Sequence, residues 1–353
     1  MVSASAYALD KSHRSKHYQI LDIIRLLCAC LVVLIHCLEV KEGHPIAYGI
    51  VLCFASQCVP FFFIVSGFFF AKKINNSNNQ IKDTFKCAKG YLFLYFAWMI
   101  IELPGVIHFY FNAYNGKSFV YIVAVIVRRL FVAGQGVYWY ILVLTEAIFV
   151  CGLLIKFKKE KLMYILAAIG LILGYIYDIG IQQGFWGQFN NLIYFLFSWS
   201  NNLLMKGLPY VALGVFMSRY EKRENLNRTT LVMVYSALSL TAVLIYVTCY
   251  PYNIDAVKII NHVPFQAVLL FLIAIQPSEV VIKKEITDHC RNLSTTIYFV
   301  HTIVIYQVID RLWTIYSPVL LRFLVAVTLS TGVYCVAKVW KFKPLLWLLA
   351  IKN

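Results

Sequence analysis

Residues 18–40 read YQILDIIRLLCACLVVLIHCLEV, and the reading of the whole chain turns on them. The stretch is apolar over the roughly 20 residues a helix needs to cross a bilayer. Yet it contains Asp22, Arg25 and His36. An ionisable group in hydrocarbon costs about 3 kcal/mol or more unless paired or hydrated, so each is a functional candidate. Asp22 and Arg25 are three residues apart and can pair on one helix face. Arg25 and His36 are eleven apart, about three turns, so they share a face and lie about 16 Å apart along the axis. Arg25 is therefore placed near one membrane surface and His36 towards the other. Basic residues precede the run, as in a signal peptide, but a small-residue cleavage site is missing and charges lie inside, so a retained first span is expected.

Working outward, the rest of the chain has the same character. Of 353 residues, 61% are hydrophobic and 14% charged, against about 45–50% and 25% in soluble domains. One core of this size cannot hide that excess, which excludes a soluble enzyme, a disordered chain and a fibre. An all-α polytopic integral membrane helical bundle remains. Ten candidate spans can be read: 19–38, 46–71, 91–111, 137–155, 162–179, 203–218, 229–249, 262–276, 293–312 and 318–339. The stretch 118–133 is placed flat on the outer interface, and the aromatic 185–200 reads as interfacial or re-entrant.

The net charge of +16 invites a nucleic-acid partner, but its distribution argues otherwise. With ten alternating spans and both termini cytoplasmic, 23 of the 32 basic residues fall on the cytoplasmic side. That is the asymmetry the positive-inside rule requires. The expected organisation is a basic cytoplasmic segment over 1–18, a membrane domain over 19–339 and a short cytoplasmic tail over 340–353. The ten cysteines include no C-x-x-C pair, giving neither a zinc ribbon nor a disulfide framework. The sequence lacks a Walker loop, a dinucleotide fingerprint and an H-E-x-x-H motif, so no metal is expected and ATP-driven transport by this chain is disfavoured. The Lys-, Ile- and Asn-rich composition suits a bacterium of low genomic GC, and hence a multi-pass protein of the bacterial cell membrane.

Further polar groups mark other spans. The second carries VPFFFIVSGFFFAKK, in which Pro60 removes one helix hydrogen bond, Gly67 admits a close neighbour and Ser66 can bond across helices. Glu102 precedes Pro104 near the outer end of the third. The fourth opens GVYWYILVLTEA, with Trp139 and Tyr140 suited to an interface belt and Glu146 about two turns deeper. In NLSTTIYFVHTIVIY, Ser294, Tyr298 and His301 form one polar stripe.

Together these segments resemble the membrane-bound acyltransferase family 3, whose members O-acetylate sugars. The resemblance rests on Arg25 and His36 with ten residues between them, on Pro60 to Phe68, on Trp139-Tyr140-Ile141, and on Ser294, Tyr298 and His301. Where the family often has R-x-x-R before the third helix, this chain has Lys86 and Lys89, which lack the bidentate guanidinium fork. The chain looks like the stand-alone form, without a fused extracytoplasmic domain.

The resemblance implies acyl transfer from cytoplasmic acyl-CoA, in the first place acetyl-CoA, to a hydroxyl of a lipid-linked or cell-surface glycan. The donor is a substrate, and no permanently bound cofactor is implied. Lys72, Lys73, Lys86 and Lys89 could hold its phosphates, with Arg25 steering the pantetheine or diphosphate end. His36 would act as general base on the acceptor hydroxyl or carry the acyl group itself. Glu146 or Glu102 would orient His36 or bind sugar, and Tyr298 or Ser294 would stabilise the oxyanion. Trp139, Tyr140, Trp186 and Trp199 suit stacking on sugar rings, and His301 and Ser66 complete the expected substrate-binding set. The partners implied are the lipid bilayer, the glycan acceptor and glycan-assembly proteins. The competing class is a secondary transporter or flippase using the same polar seam.

Overall fold

The computed structural model describes residues 18–38, 45–128, 130–131, 136–182, 201–220, 226–249, 264–277, 281–310 and 318–351. These form helices joined by short turns, with no strand among them. In chain order the α-helices are α1 (Gln19–Cys37), α2 (Pro45–Ala55), α3 (Cys58–Asn75), α4 (Gln80–Ala113), α5 (Phe119–Arg128) and α6 (Trp139–Lys156). They continue as α7 (Glu160–Gln182), α8 (Leu208–Tyr220), α9 (Arg228–Cys249) and α10 (Pro264–Ile275). The last three are α11 (Lys284–Thr302), α12 (Val319–Trp340) and α13 (Lys343–Leu348). A 3₁₀ turn, Gly136–Tyr138, leads into α6; π-helical stretches precede α8 (Leu203–Gly207) and follow α11 (Ile303–Ile309).

Seven helices among the described residues are long and apolar enough to cross a membrane, against the ten spans expected. They lie at Gln19–Cys37, Ile46–Asn75, Gln80–Ala113, Gly136–Lys156, Glu160–Asp178, Arg228–Thr248 and Val319–Trp340. The other expected spans fall on α10, only 12 residues long, on α8 with its π-turn, and on α11, whose hydropathy is lowered by Asn292, Ser294, Thr295, Thr296 and Thr302. The stretch 185–200 lies outside the described residues.

Three boundaries differ from expectation with consequences for the site. The span 46–71 is two helices broken at Ser56-Gln57, which puts Pro60 in the first turn of α3, where its missing N–H is tolerated. The expected basic loop before the third span is instead the start of α4, which runs 34 residues, or about 50 Å. Lys86 and Lys89 are therefore exposed helix residues, not loop residues. Third, α11 starts at Lys284, nine residues before the expected 293, and this brings Arg291 into the helix.

Residues 341–351, within the expected tail, pack on the bundle. There α13 buries Leu346, with Leu349 and Ile351 buried beyond it, and the Trp98 indole N–H donates to the Leu348 carbonyl at 2.9 Å. Outside the bundle, large apolar side chains remain exposed, such as Ile100 at 70% and Leu240 at 60%. A soluble protein of this size would bury them, whereas lipid solvates them.

Two apolar clusters hold the bundle. One joins α3, α6, α8 and α10, with Phe61, Phe68, Val211 and Phe271 fully buried. The other joins α1, α4, α6, α11, α12 and α13 around Val33, Tyr95, Tyr138, Ile297 and Ile305. The first depends on a close crossing of α3 and α8. A Cβ on Gly67 would lie 2.2 Å from the Val211 carbonyl oxygen, and one on Gly214 would lie 2.1 Å from that of Ile64. Only glycine at both positions permits this approach, as the sequence suggested for Gly67. The crossing sets the depth of Ser66, one residue earlier.

Candidate functional site

α1 packs along α11, and this pairing assembles the site. Arg25 bonds Asp22 on its own helix, Nη1 to Oδ1 at 3.0 Å, as the three-residue spacing predicted. Three turns on, His36 comes within 5.4 Å of His301, ring centre to ring centre. The two ends of α1 face two different cavities.

The cavity at the His36 end has a volume of about 780 Å³. Its lining includes His36, Glu102, His108, Tyr306, Gln307 and Asp310. Glu102 comes from the C-terminal half of α4, two residues before Pro104. Its carboxylate accepts from Gln307 Nε2 at 3.0 Å and from the Tyr138 hydroxyl at 3.5 Å. His36 Nδ1 lies 3.4 Å from the Tyr306 hydroxyl. Asp310 is paired with Arg322 at 2.5 Å. The π-helical turn after α11 is what brings Tyr306, Gln307 and Asp310 to one side, since its wider pitch shifts the helical register.

The cavity at the Arg25 end is smaller, about 340 Å³, and its polar lining includes Arg25, Ser66, Tyr140, Arg291, Ser294 and Tyr298. The Ser66 and Tyr140 hydroxyls lie 3.3 Å apart. Ser294 Oγ donates to the Arg291 carbonyl at 2.7 Å, closing a turn of α11.

A single layer divides the two spaces. The Tyr298 hydroxyl donates to the Val137 carbonyl at 2.6 Å, and the Tyr138 hydroxyl donates to the Phe299 carbonyl at 2.8 Å. Each tyrosine thus caps backbone beside the other, fastening the 3₁₀ turn before α6 to α11. Trp98 stacks on both sides of this clasp, 5.1 Å from Phe299 and 5.8 Å from Tyr138. His301 is part of the same layer and is fully buried. Its Nδ1 lies 2.9 Å from the Ile297 carbonyl. A carbonyl can only accept, so Nδ1 carries the proton, and in the neutral ring Nε2 is a bare lone pair. That Nε2 is buried without a hydrogen-bond partner.

The structure divides the expected site residues. His36 and Glu102 meet at one cavity; Arg25, Ser66, Tyr140, Ser294 and Tyr298 meet at the other; His301 stands between. The polar stripe on α11 is real, but it crosses the wall instead of lining one space. Tyr140 points into the Arg25 cavity and not to an outer interface belt. Trp139 lines neither cavity and packs 6.1 Å from Phe63. Glu146 also lines neither, and its electrostatic neighbour is Tyr95; the carboxylates that share the larger cavity with His36 are Glu102 and Asp310. Four lysines expected at the donor end do not line the Arg25 cavity. Lys72 bonds the Tyr18 hydroxyl, Lys73 lies 3.2 Å from Cys87 Sγ, Lys89 stands over Phe93, and Lys86 is exposed. Trp186 and Trp199 lie outside the described residues.

Arg291, Tyr138, Gln307 and Asp310 were not foreseen as site residues. Arg291 was findable, because 291, 294 and 298 continue the α11 stripe at helical spacing. Its positive charge was read only as a topology signal. Gln307 and Asp310 depend on a π-helical register that no simple periodicity announces.

Comparison with known proteins gives the family. Residues 18–339 match the family model described as "Acyltransferase domain". Two curated relatives are a serine/alanine racemase of Enterococcus gallinarum, 26% identical over 230 residues, and an amino-acid racemase of Enterococcus faecalis, 23% identical over 332 residues. The alignments cover 62% and 88% of this chain but 32% and 44% of those proteins, so the chain spans less than half the length of either. No solved structure matches the chain. The match over most of the length, on an all-helical bundle with membrane-spanning helices, makes the chain a member of acyltransferase family 3.

Proposed function

We propose that the protein is an integral-membrane O-acyltransferase that moves an acetyl group from cytoplasmic acetyl-CoA to a hydroxyl of a cell-surface or lipid-linked glycan. The observation that carries this reading is the pair of cavities at opposite ends of α1, separated by one layer that contains His301. A reaction whose donor and acceptor reside on opposite sides of a membrane needs two such compartments meeting at one reactive group.

In this reading the donor enters the Arg25 cavity from the cytoplasm. The guanidinium holds its anionic part, and the Ser66 and Tyr140 hydroxyls bond the thioester end. The acceptor occupies the larger cavity, with Glu102 accepting from one of its hydroxyls. The reacting hydroxyl loses its proton to His36 as its oxygen attacks the thioester carbonyl; the C–S bond breaks and coenzyme A leaves as thiolate. With a histidine carrier the same bonds break in two steps. His36 is then the carrier, because it lines the larger cavity, whereas the buried His301 lines neither.

The transporter reading shares the two compartments but makes no bond. Membranes containing the protein, supplied with acetyl-CoA and glycan, should release free coenzyme A only when acceptor is present, and His36→Ala membranes should release it roughly 100- to 10,000-fold more slowly. Acceptor-dependent uptake without coenzyme A release would instead establish the transporter. Comparing surface-glycan acetylation by NMR in strains with and without the gene would identify the acceptor.

A further inference from the structure

Arg291 also lines the smaller cavity, beside Arg25, and its surroundings are arranged in a specific way. Asp22 lies between two guanidiniums. Its Oδ1 is 3.0 Å from Arg25 Nη1 and its Oδ2 is 3.5 Å from Arg291 Nη1. Asp288, one turn before Arg291 on α11, bonds Arg291 Nη2 at 2.7 Å. The Asp22 side chain is only 6% exposed, while Arg25 and Arg291 are 18% and 29% exposed. Both arginines line the cavity; neither aspartate does. The carboxylates therefore hold the guanidiniums from behind, and the cavity meets the cations.

We propose that Arg25 and Arg291, braced through Asp22, form a two-armed phosphate site, and that its ligand is the diphosphate of the coenzyme A moiety. Each guanidinium has five N–H donors in a rigid fork suited to phosphate oxygens, and the aspartates use only part of each fork. Two like charges beside one cavity repel unless an anion lies between them. Asp22 supplies that anion from behind in the free protein, so the site is preorganised without being filled. A neutral ligand would gain nothing from the second arginine.

The inference rests on the donor reading, and the test separates the two. Binding of coenzyme A and of pantetheine, which lacks the phosphates, is measured on purified full-length protein in detergent by thermophoresis and ligand-observed NMR. The wild type should bind coenzyme A at least tenfold more tightly than pantetheine. Arg291→Ala should lose at least tenfold of the coenzyme A affinity with pantetheine unchanged, and Arg291→Lys should fall between, keeping the charge without the fork. Arg291→Lys also guards against misfolding, since it preserves the helix and the Asp288 pair. If Arg291→Ala and Arg291→Lys both bind coenzyme A like the wild type, or if both ligands weaken equally, the phosphate site is overturned and the donor reading stands. If the wild type binds neither ligand, both fail. If phosphatidylglycerol added to the detergent displaces coenzyme A equally from wild type and Arg291→Ala, the two arms do not recognise the nucleotide, and the proposal is overturned.

Discussion

The two cavities differ in what they can hold. The Arg25 cavity is small, and its charged groups are two guanidiniums, set among hydroxyls, the Asn292 amide and apolar side chains such as Phe62 and Leu144. The His36 cavity has more than twice the volume and mixes imidazoles, carboxylates and amides, which can both give and take hydrogen bonds. A charged, narrow-tailed molecule suits the first, and a bulky polyol suits the second. The contrast shows that one helix, α1, can serve two ligands by presenting different chemistry a few turns apart, with the tyrosine clasp keeping them separate.

Removing the reactive group should reveal that separation most clearly. His36→Ala should lower turnover by roughly 100- to 10,000-fold, the range of a lost acid–base group, while coenzyme A affinity stays unchanged. A parallel loss of donor affinity would mean that the cavities are one site. Next in size, Glu102→Gln removes a charged acceptor that holds Gln307 and faces the larger cavity. Hydrogen bonds to charged groups contribute about 1.5–3 kcal/mol, so kcat/KM for the acceptor should fall roughly ten- to hundredfold. Glu146→Gln, away from both cavities, should leave the KM for the acceptor unaltered.

Stability gives a third measure. Gly67→Val must push α3 from the Val211 carbonyl, an overpacking that costs about 1–3 kcal/mol or more. It should lower the thermal midpoint and, by moving Ser66, weaken donor binding before acceptor binding. The smallest expected effect is on the wall. Tyr138→Phe leaves the buried Phe299 carbonyl without its donor, a loss of about 1–3 kcal/mol. A looser wall admits water, so acetyl-CoA hydrolysis without acceptor should rise relative to transfer. An unchanged ratio of hydrolysis to transfer would show that the clasp does not seal the donor from the acceptor side.

Parts of this arrangement are legible in single segments. Asp22 and Arg25 pair, and Arg25 and His36 share a face, because both follow from the pitch of one helix. Gly67 admits a close neighbour because a missing side chain is visible without knowing the neighbour. Glu102 is marked by a carboxylate standing in an apolar run. Other features depend on partners distant in the chain. Nothing in residues 137–146 distinguishes Tyr140, which enters a cavity, from Trp139, which packs on Phe63, or Glu146 from Glu102 in its relation to His36. Those outcomes are fixed by which face of α6 meets α3 and α11.

The same division explains the basic residues. Topology depends on summed charge at the ends of spans, and a sum is readable from sequence; Arg291, Lys283 and Lys284 enter such a sum alike. Its place at a cavity required the early start of α11 and the packing of that helix on α1. The sequence by itself determined a helical membrane bundle, its family motifs and the ionisable residues that hydrocarbon makes costly, since composition and local periodicity carry those. Only the tertiary structure decided that these residues divide into two compartments with His301 between them. The division is made by contacts between α1, α4, α6 and α11, whose side chains are brought together across up to 270 residues of sequence, as His36 and Tyr306 are.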